Sequence, residues 1–345
     1  MRSVVLALVL AGCSAAGGRS EEPVGTTQVT AALVVAKAAK AAPRVAVAAP
    51  AVEAPQPEPA VAEPVAFDAP FTGFGAAGCS YLAPTSEFIG ADGAIDVVWH
   101  FHAGQMAAAD MKTSGLRAVF VSCGYGIGSG GYSSRFEDPN RFGAMMKSLT
   151  RMIAARTKRS DVHLGHLALA SWSAGFAAVG RILSVPQWYE ATDAVLLFDS
   201  LHAQYIDLPE DAKLKNKPVA ARGADHVDVK MLRRFIRFAT DAAAGKKTMV
   251  VTHSSIVPPD YASTSEATAA LMREVGVATR ETSAPFGLPN MTPSVTADEA
   301  GLHVRGFRGQ GPHDHFDHLH LIGDAVKTWL VPRWSGAYTP ARERH

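Results

Sequence analysis

The chain has 345 residues, with 33 Lys plus Arg against 32 Asp plus Glu and a formal charge of +1. That balance excludes a strongly basic nucleic-acid binder. Hydrophobic residues make up 48%, enough for a sizeable core, and 15 Phe, 7 Tyr and 5 Trp exclude wholesale disorder. Three cysteines are too few for a disulfide-dense scaffold, and none sits in a CxxC pair.

The chain opens with Arg2 and a largely apolar run from Ser3 to Gly12. It is too short to span a bilayer and reads as an export signal. Leu10-Ala11-Gly12-Cys13 resembles the bacterial lipobox. The resemblance implies cleavage before Cys13, acylation of its thiol, and a lipid anchor holding the protein to the cell envelope, on the periplasmic or cell-surface side. Residues 14–68 hold 17 Ala and 7 Pro with Phe67 the only aromatic. Such a stretch buries too little apolar area to offset its ordering entropy, so a tether is expected. The expected organisation is a signal over 1–12, a lipidated cysteine and linker over 13–68, a folded domain over 69–335 and a tail over 336–345.

Within the domain, apolar runs read as buried strands at Ile95–Phe101, Leu116–Ser122, His163–Ala170, Ala194–Asp199, Thr248–His253 and Leu302–Phe307. Helical spacing links Phe142, Met145, Met146, Leu149, Met152 and Ile153, and recurs over Val229–Phe238 and Glu266–Val275. Leu319, Ile322, Val326 and Trp329 mark a last helix. This alternation predicts an α/β domain: a mostly parallel central sheet with helices on both faces. Cys79 and Cys123 read either as a disulfide suited to an oxidising compartment or as two buried thiols.

The strand ending at Ala170 runs into Ser171-Trp172-Ser173-Ala174-Gly175 and then the apolar stretch from Phe176 to Leu183. A serine at the apex of such a turn is lifted clear of the sheet, with a helix N-terminus behind it. The string resembles the nucleophile elbow of the α/β-hydrolase superfamily, with Ser171 in place of the first glycine. Membership implies a serine hydrolase acting on an ester or related acyl bond through a Ser-His-Asp triad and an acyl-enzyme, without a cofactor. Ser173 is then the nucleophile. His315, after the last strand, is the expected base, with His318 as alternative. Asp199 at a strand end is the expected acid, with Asp260 as alternative. The oxyanion donors are the Ala174 N–H and that of Ala103 or Gly104, in a stretch similar to the family's His-Gly loop. His102 is read as a loop-shaping residue, and His313 and His320 as solvated or supporting.

His313-x-His315-x-Asp317-His318 spells a metallo-β-lactamase ligand string, but the further ligands that family needs downstream are missing, so no metal is expected. Gly124–Gly131 lacks the Gly-Lys-Ser/Thr of a phosphate loop and reads as a rim loop with no helix directly after it. Trp172 reads equally as substrate-facing or as core. The expected substrate is a small-molecule, lipid or glycan ester. A non-catalytic envelope-binding module on the same fold is the alternative.

Overall fold

The computed structural model describes residues 64–207 and 221–335. The expected signal, Cys13, most of the linker and the 336–345 tail lie outside them.

Ten strands form one sheet: β1 (Thr72–Gly73), β2 (Cys79–Leu82), β3 (Ala94–Phe101), β4 (Val119–Cys123), β5 (His163–Trp172), β6 (Ala194–Phe198), β7 (Thr248–His253), β8 (Arg280–Glu281), β9 (Thr292–Glu299) and β10 (Leu302–Arg308). Their spatial order is β1-β2-β4-β3-β5-β6-β7-β10-β9-β8. The six from β4 to β10 run parallel, and antiparallel strands close both edges. The sheet is thus mostly parallel, with its continuous apolar runs in the parallel strands, as burial on both faces requires.

Alternating side chains divide the core in two. On one face Trp99, Val121, Leu169, Leu197 and Val251 pack against helices that include Arg141–Thr157 and Val229–Ala243. On the other, Val98, Phe120, Ala168, Leu196 and Val250 pack against the chain's last helical run. That run is a succession of short α, 3-10 and π pieces from Pro312 to Trp334, not the single helix expected. The expected stripe of Leu319, Ile322, Val326 and Trp329 is nevertheless buried.

Three further expectations are corrected. Residues 64–68 belong to the folded unit: Val65 is buried, its N–H donates to the Lys112 carbonyl, the Asp68 N–H donates to Ala83, and Phe67 packs on the second core. Val65 and Phe67 are thus apolar side chains that find partners in the folded unit. A helix, Ser129–Arg135, begins within the glycine-rich stretch. Its anchor is fully buried Tyr132, whose hydroxyl meets His102 Nδ1 at 2.7 Å and the Tyr125 N–H at 3.1 Å. The strand expected from Leu116 starts at Val119.

Cys79 and Cys123 face each other in the β2–β4 register and are joined by a disulfide. The bond ties the antiparallel strand β2 to the parallel strands at the end where β3, β4 and β5 finish.

Candidate active site

β5 ends at Trp172, and Ser173 takes φ +50° before the chain enters a 3-10 turn and the helix Phe176–Ile182. A positive φ at a non-glycine residue is strained and must be held by its surroundings. A ladder of hydroxyls does this. Ser200 Oγ donates to the Ser173 carbonyl at 2.7 Å. Having spent its proton there, it accepts from Ser171 Oγ at 2.8 Å. Serine in place of the usual glycine at 171 therefore closes the ladder. Gly175 is needed for a different reason, since a Cβ there would collide with the Phe101 carbonyl. That close approach brings the end of β3 beside the elbow.

Four of the six non-glycine residues with positive φ among the described residues sit at these strand ends: His102, Ala103, Ser173 and Asp199. Strain is concentrated where a reaction would take place.

Asp199 follows β6 and is almost fully buried. Its Oδ2 receives His315 Nδ1 at 2.7 Å, while Oδ1 accepts the Ser254 N–H at 2.9 Å and the Thr264 hydroxyl. Thr264 is itself fixed by the capping box that starts the helix Thr264–Val275, with Ser263 and Glu266 capping each other's backbone N–H. Burial alone would raise the Asp199 carboxyl. The His318 and His315 imidazoles and the Thr264 hydroxyl outweigh it and hold the group well below the usual carboxylate range. Buried His318 is neutral near pH 7 (its own pKa is pushed down to about 4), so His315 and Thr264 are the partners that sustain the charge. A carboxylate accepting from Nδ1 makes that nitrogen the protonated one and leaves the Nε2 lone pair free.

The second ring-nitrogen environment is different at His318. This residue is fully buried, its Nδ1 lies 2.7 Å from Thr252 Oγ1 and its Nε2 has no partner. Asp260 makes no hydrogen bond to a histidine among the described residues. The four members of the metal-like string point apart: His313 is exposed, Asp317 accepts from Asn290 at 2.5 Å, His315 goes to Asp199, and His318 goes to Thr252. No cluster able to hold a metal occurs among the described residues. His320 pairs with Asp110 at 2.7 Å.

After β3, the His102 N–H donates to the Cys123 carbonyl at 2.9 Å, and positive φ at His102 and Ala103 turns the chain back. The N–H groups of Ala103 and Gly104 find no backbone acceptor among the described residues, so both remain available as donors at the strand end. The His102 ring stacks on Trp172, with centroids 5.1 Å apart.

Two residues gain roles the sequence did not reveal. Trp172 belongs to the second core, and it also holds a neighbour: its Nε1–H donates to the His315 carbonyl at 2.8 Å, and its ring packs on the His315 and Phe316 rings. His202 lines a cavity of about 320 Å³ that also includes Ser173, Ala174, Ser129 and Tyr261. No sequence signal marks which way an indole or imidazole turns.

No protein-family model matches the chain, and no curated protein matches it. Several solved structures are similar. The ferric enterobactin esterase of Salmonella typhimurium is 12% identical with a TM-score of 0.40, over 75% of this chain and 55% of that one. The chain thus spans little more than half of that enzyme's length. Acetyl xylan esterase from Aspergillus awamori is 12% identical with a TM-score of 0.41, over 75% of this chain and 97% of that one. An esterase from Rhizomucor miehei is 12% identical with a TM-score of 0.41, over 80% and 85%.

Proposed function

We propose that this protein is a serine hydrolase that cleaves an ester bond through Ser173, His315 and Asp199. The observation that carries the reading is the 2.7 Å bond from His315 Nδ1 to a buried, otherwise saturated Asp199, beside a serine held at positive φ on a strand-to-helix turn. Ser173 Oγ attacks the substrate carbonyl carbon while its proton passes to His315 Nε2. Asp199 holds the imidazolium that results. The oxyanion accepts from the Ala174 N–H and from Ala103 or Gly104. Collapse expels the alcohol, protonated by His315, and leaves an acyl-enzyme that water then attacks with His315 again as base. Ser173 Oγ makes no hydrogen bond to His315 among the described residues. In substrate-free sites such bonds are commonly loose and tighten as the reacting complex forms.

Export and anchoring through Cys13 complete the proposal, supported by the Leu10–Cys13 string and by a disulfide of the sort that persists in oxidising compartments. The purified protein should hydrolyse short-chain p-nitrophenyl esters. Ser173→Ala and His315→Ala should each remove that activity, whereas His318→Ala should keep it wherever the variant folds. Loss with His318→Ala but not with His315→Ala would reverse the base assignment. No turnover of any ester by the wild type would favour the binding-module alternative.

A further inference from the structure

The turn proposed to carry the second oxyanion donor is a strained one. His102 and Ala103 take φ +72° and +56°, and no other two adjacent non-glycine residues among those described both have positive φ. A left-handed conformation at consecutive residues with a Cβ persists only where the surroundings hold it. The backbone supplies one hold, the bond from the His102 N–H to the Cys123 carbonyl. The His102 ring supplies the others.

That ring stacks on Trp172, the residue before Ser173, and its Nδ1 meets the Tyr132 hydroxyl at 2.7 Å. The same hydroxyl accepts the Tyr125 N–H at 3.1 Å and donates to the Gly126 carbonyl at 3.2 Å. Tyr132 is fully buried, and Gly131 lets it approach this loop, since a Cβ at 131 would collide with the Tyr125 carbonyl. The next residue, Ser133, accepts from Arg181 Nε at 2.9 Å. Arg181 belongs to the helix Phe176–Ile182 that follows Ser173. The turn at Ser173 and the turn at His102 are therefore linked twice. One link runs through Trp172 ahead of the serine, the other through Arg181, Ser133 and Tyr132 behind it.

We propose that Tyr132 is a positioning residue whose hydroxyl, acting through His102, fixes the left-handed turn so that the Ala103 or Gly104 N–H meets the oxyanion. The inference rests on the serine-hydrolase reading and adds to it a group that touches no substrate. Donors stabilise a developing charge because they are set in place before it forms. A turn free to relax presents the same N–H in the wrong place. Loss of the hydroxyl therefore raises the barrier to the tetrahedral intermediate and leaves binding of the planar ester alone.

The test is Tyr132→Phe, which keeps the ring and deletes the hydroxyl. With p-nitrophenyl butyrate, kcat should fall about 30-fold, less than the roughly 10²–10³-fold cost of deleting an oxyanion donor outright. KM should stay within about twofold. Inhibition by n-butylboronic acid gives a second readout: a bond forms from Ser173 Oγ to boron, the serine proton passes to His315, and a boron-bound oxygen takes the place of the oxyanion. Its inhibition constant should rise by about the factor by which kcat falls. His102→Leu should lower kcat to a similar degree. His102→Asn, which keeps a polar atom near the Nδ1 position and tolerates positive φ, should restore part of it. A folded Tyr132→Phe with wild-type kcat and boronate inhibition, its loss confined to the melting temperature, overturns the inference. If Tyr132→Phe does not fold, the His102 pair decides: His102→Leu as fast as the wild type, or His102→Asn no faster than His102→Leu, overturns it equally. A wild type that turns over no ester removes the hydrolase reading itself, whereas an active wild type matched by Tyr132→Phe removes only this inference.

Discussion

Trp172 and His315 are joined twice over: the indole N–H donates to the His315 carbonyl at 2.8 Å, and the two rings pack with centroids 4.5 Å apart. The residue just before Ser173, the proposed nucleophile, therefore holds the segment that carries His315, the proposed base. Trp172→Phe keeps the packing and deletes the donor. It should lower kcat about tenfold with little change in KM, and lower stability by about 1 kcal/mol. A purely structural role would move the melting temperature and leave the kcat of the folded fraction unchanged.

Asp199 sets the tautomer of His315, and its neighbours provide for a carboxylate. Asp199→Asn should reduce kcat by about 10³–10⁴-fold, with KM nearly constant. It also replaces an acceptor of the Ser254 N–H and the Thr264 hydroxyl, so circular dichroism must show a folded variant for the kinetic comparison to count.

Gly175 is required by a neighbour and not by its own dihedral angles, since any Cβ there would run into the Phe101 carbonyl. Gly175→Ala should cost about 1–3 kcal/mol. It should also lower activity by displacing the loop after β3, which carries the proposed second oxyanion donor. Thermal melts and kcat on the same preparation check both arms.

The disulfide between Cys79 and Cys123 spans 44 positions of sequence. In the chain-entropy view it stabilises by about 4 kcal/mol. Cys79→Ser with Cys123→Ser should lower the melting temperature by many degrees, and reductant should shift the wild type the same way. Alkylation should add mass to these two cysteines only after reduction.

Acid should unfold the protein earlier than its carboxylates alone would require. His100 and His318 are both fully buried, and burial pushes their pKa values down to about 3 and about 4, with His102 adding to the effect at His100 and Asp199 opposing it at His318. An unfolded histidine takes its proton near pH 6.5. Between that pH and about 4 the unfolded state binds more protons than the folded one, so stability falls as pH falls. The slope approaches about 1.4 kcal/mol per pH unit for each residue, or about 3 for the pair. Calorimetric melts from pH 7 to 4.5 should show this decline, and His100→Phe should flatten it. A melting temperature constant down to pH 4.5 would contradict it.

The parallel strands were legible because each is an apolar run buried on both faces. The flanking antiparallel strands were not. β9 reads Thr-Pro-Ser-Val-Thr-Ala-Asp-Glu and is only partly buried, so its periodicity is faint, and β2 is only four residues long. Ser129–Arg135 contains two glycines and three serines, poor helix formers, and is a helix because the Tyr132 anchor outweighs local propensity. At the site, strand-turn-helix punctuation pointed to Ser173, and a strand end and a post-strand loop pointed to Asp199 and His315. Side-chain direction decided the rest: Trp172 turning to His315, His318 turning inward to Thr252, and His202 turning to the cavity. These depend on tertiary packing that no local spacing encodes.

The most direct measurement treats the purified protein with a fluorophosphonate and maps the adduct by peptide mass spectrometry. A single phosphonyl group is expected on the peptide carrying Ser173, absent in Ser173→Ala and much slower to form in His315→Ala. An unmodified Ser173 peptide after prolonged exposure, or equal labelling with and without His315, would contradict the serine-hydrolase assignment.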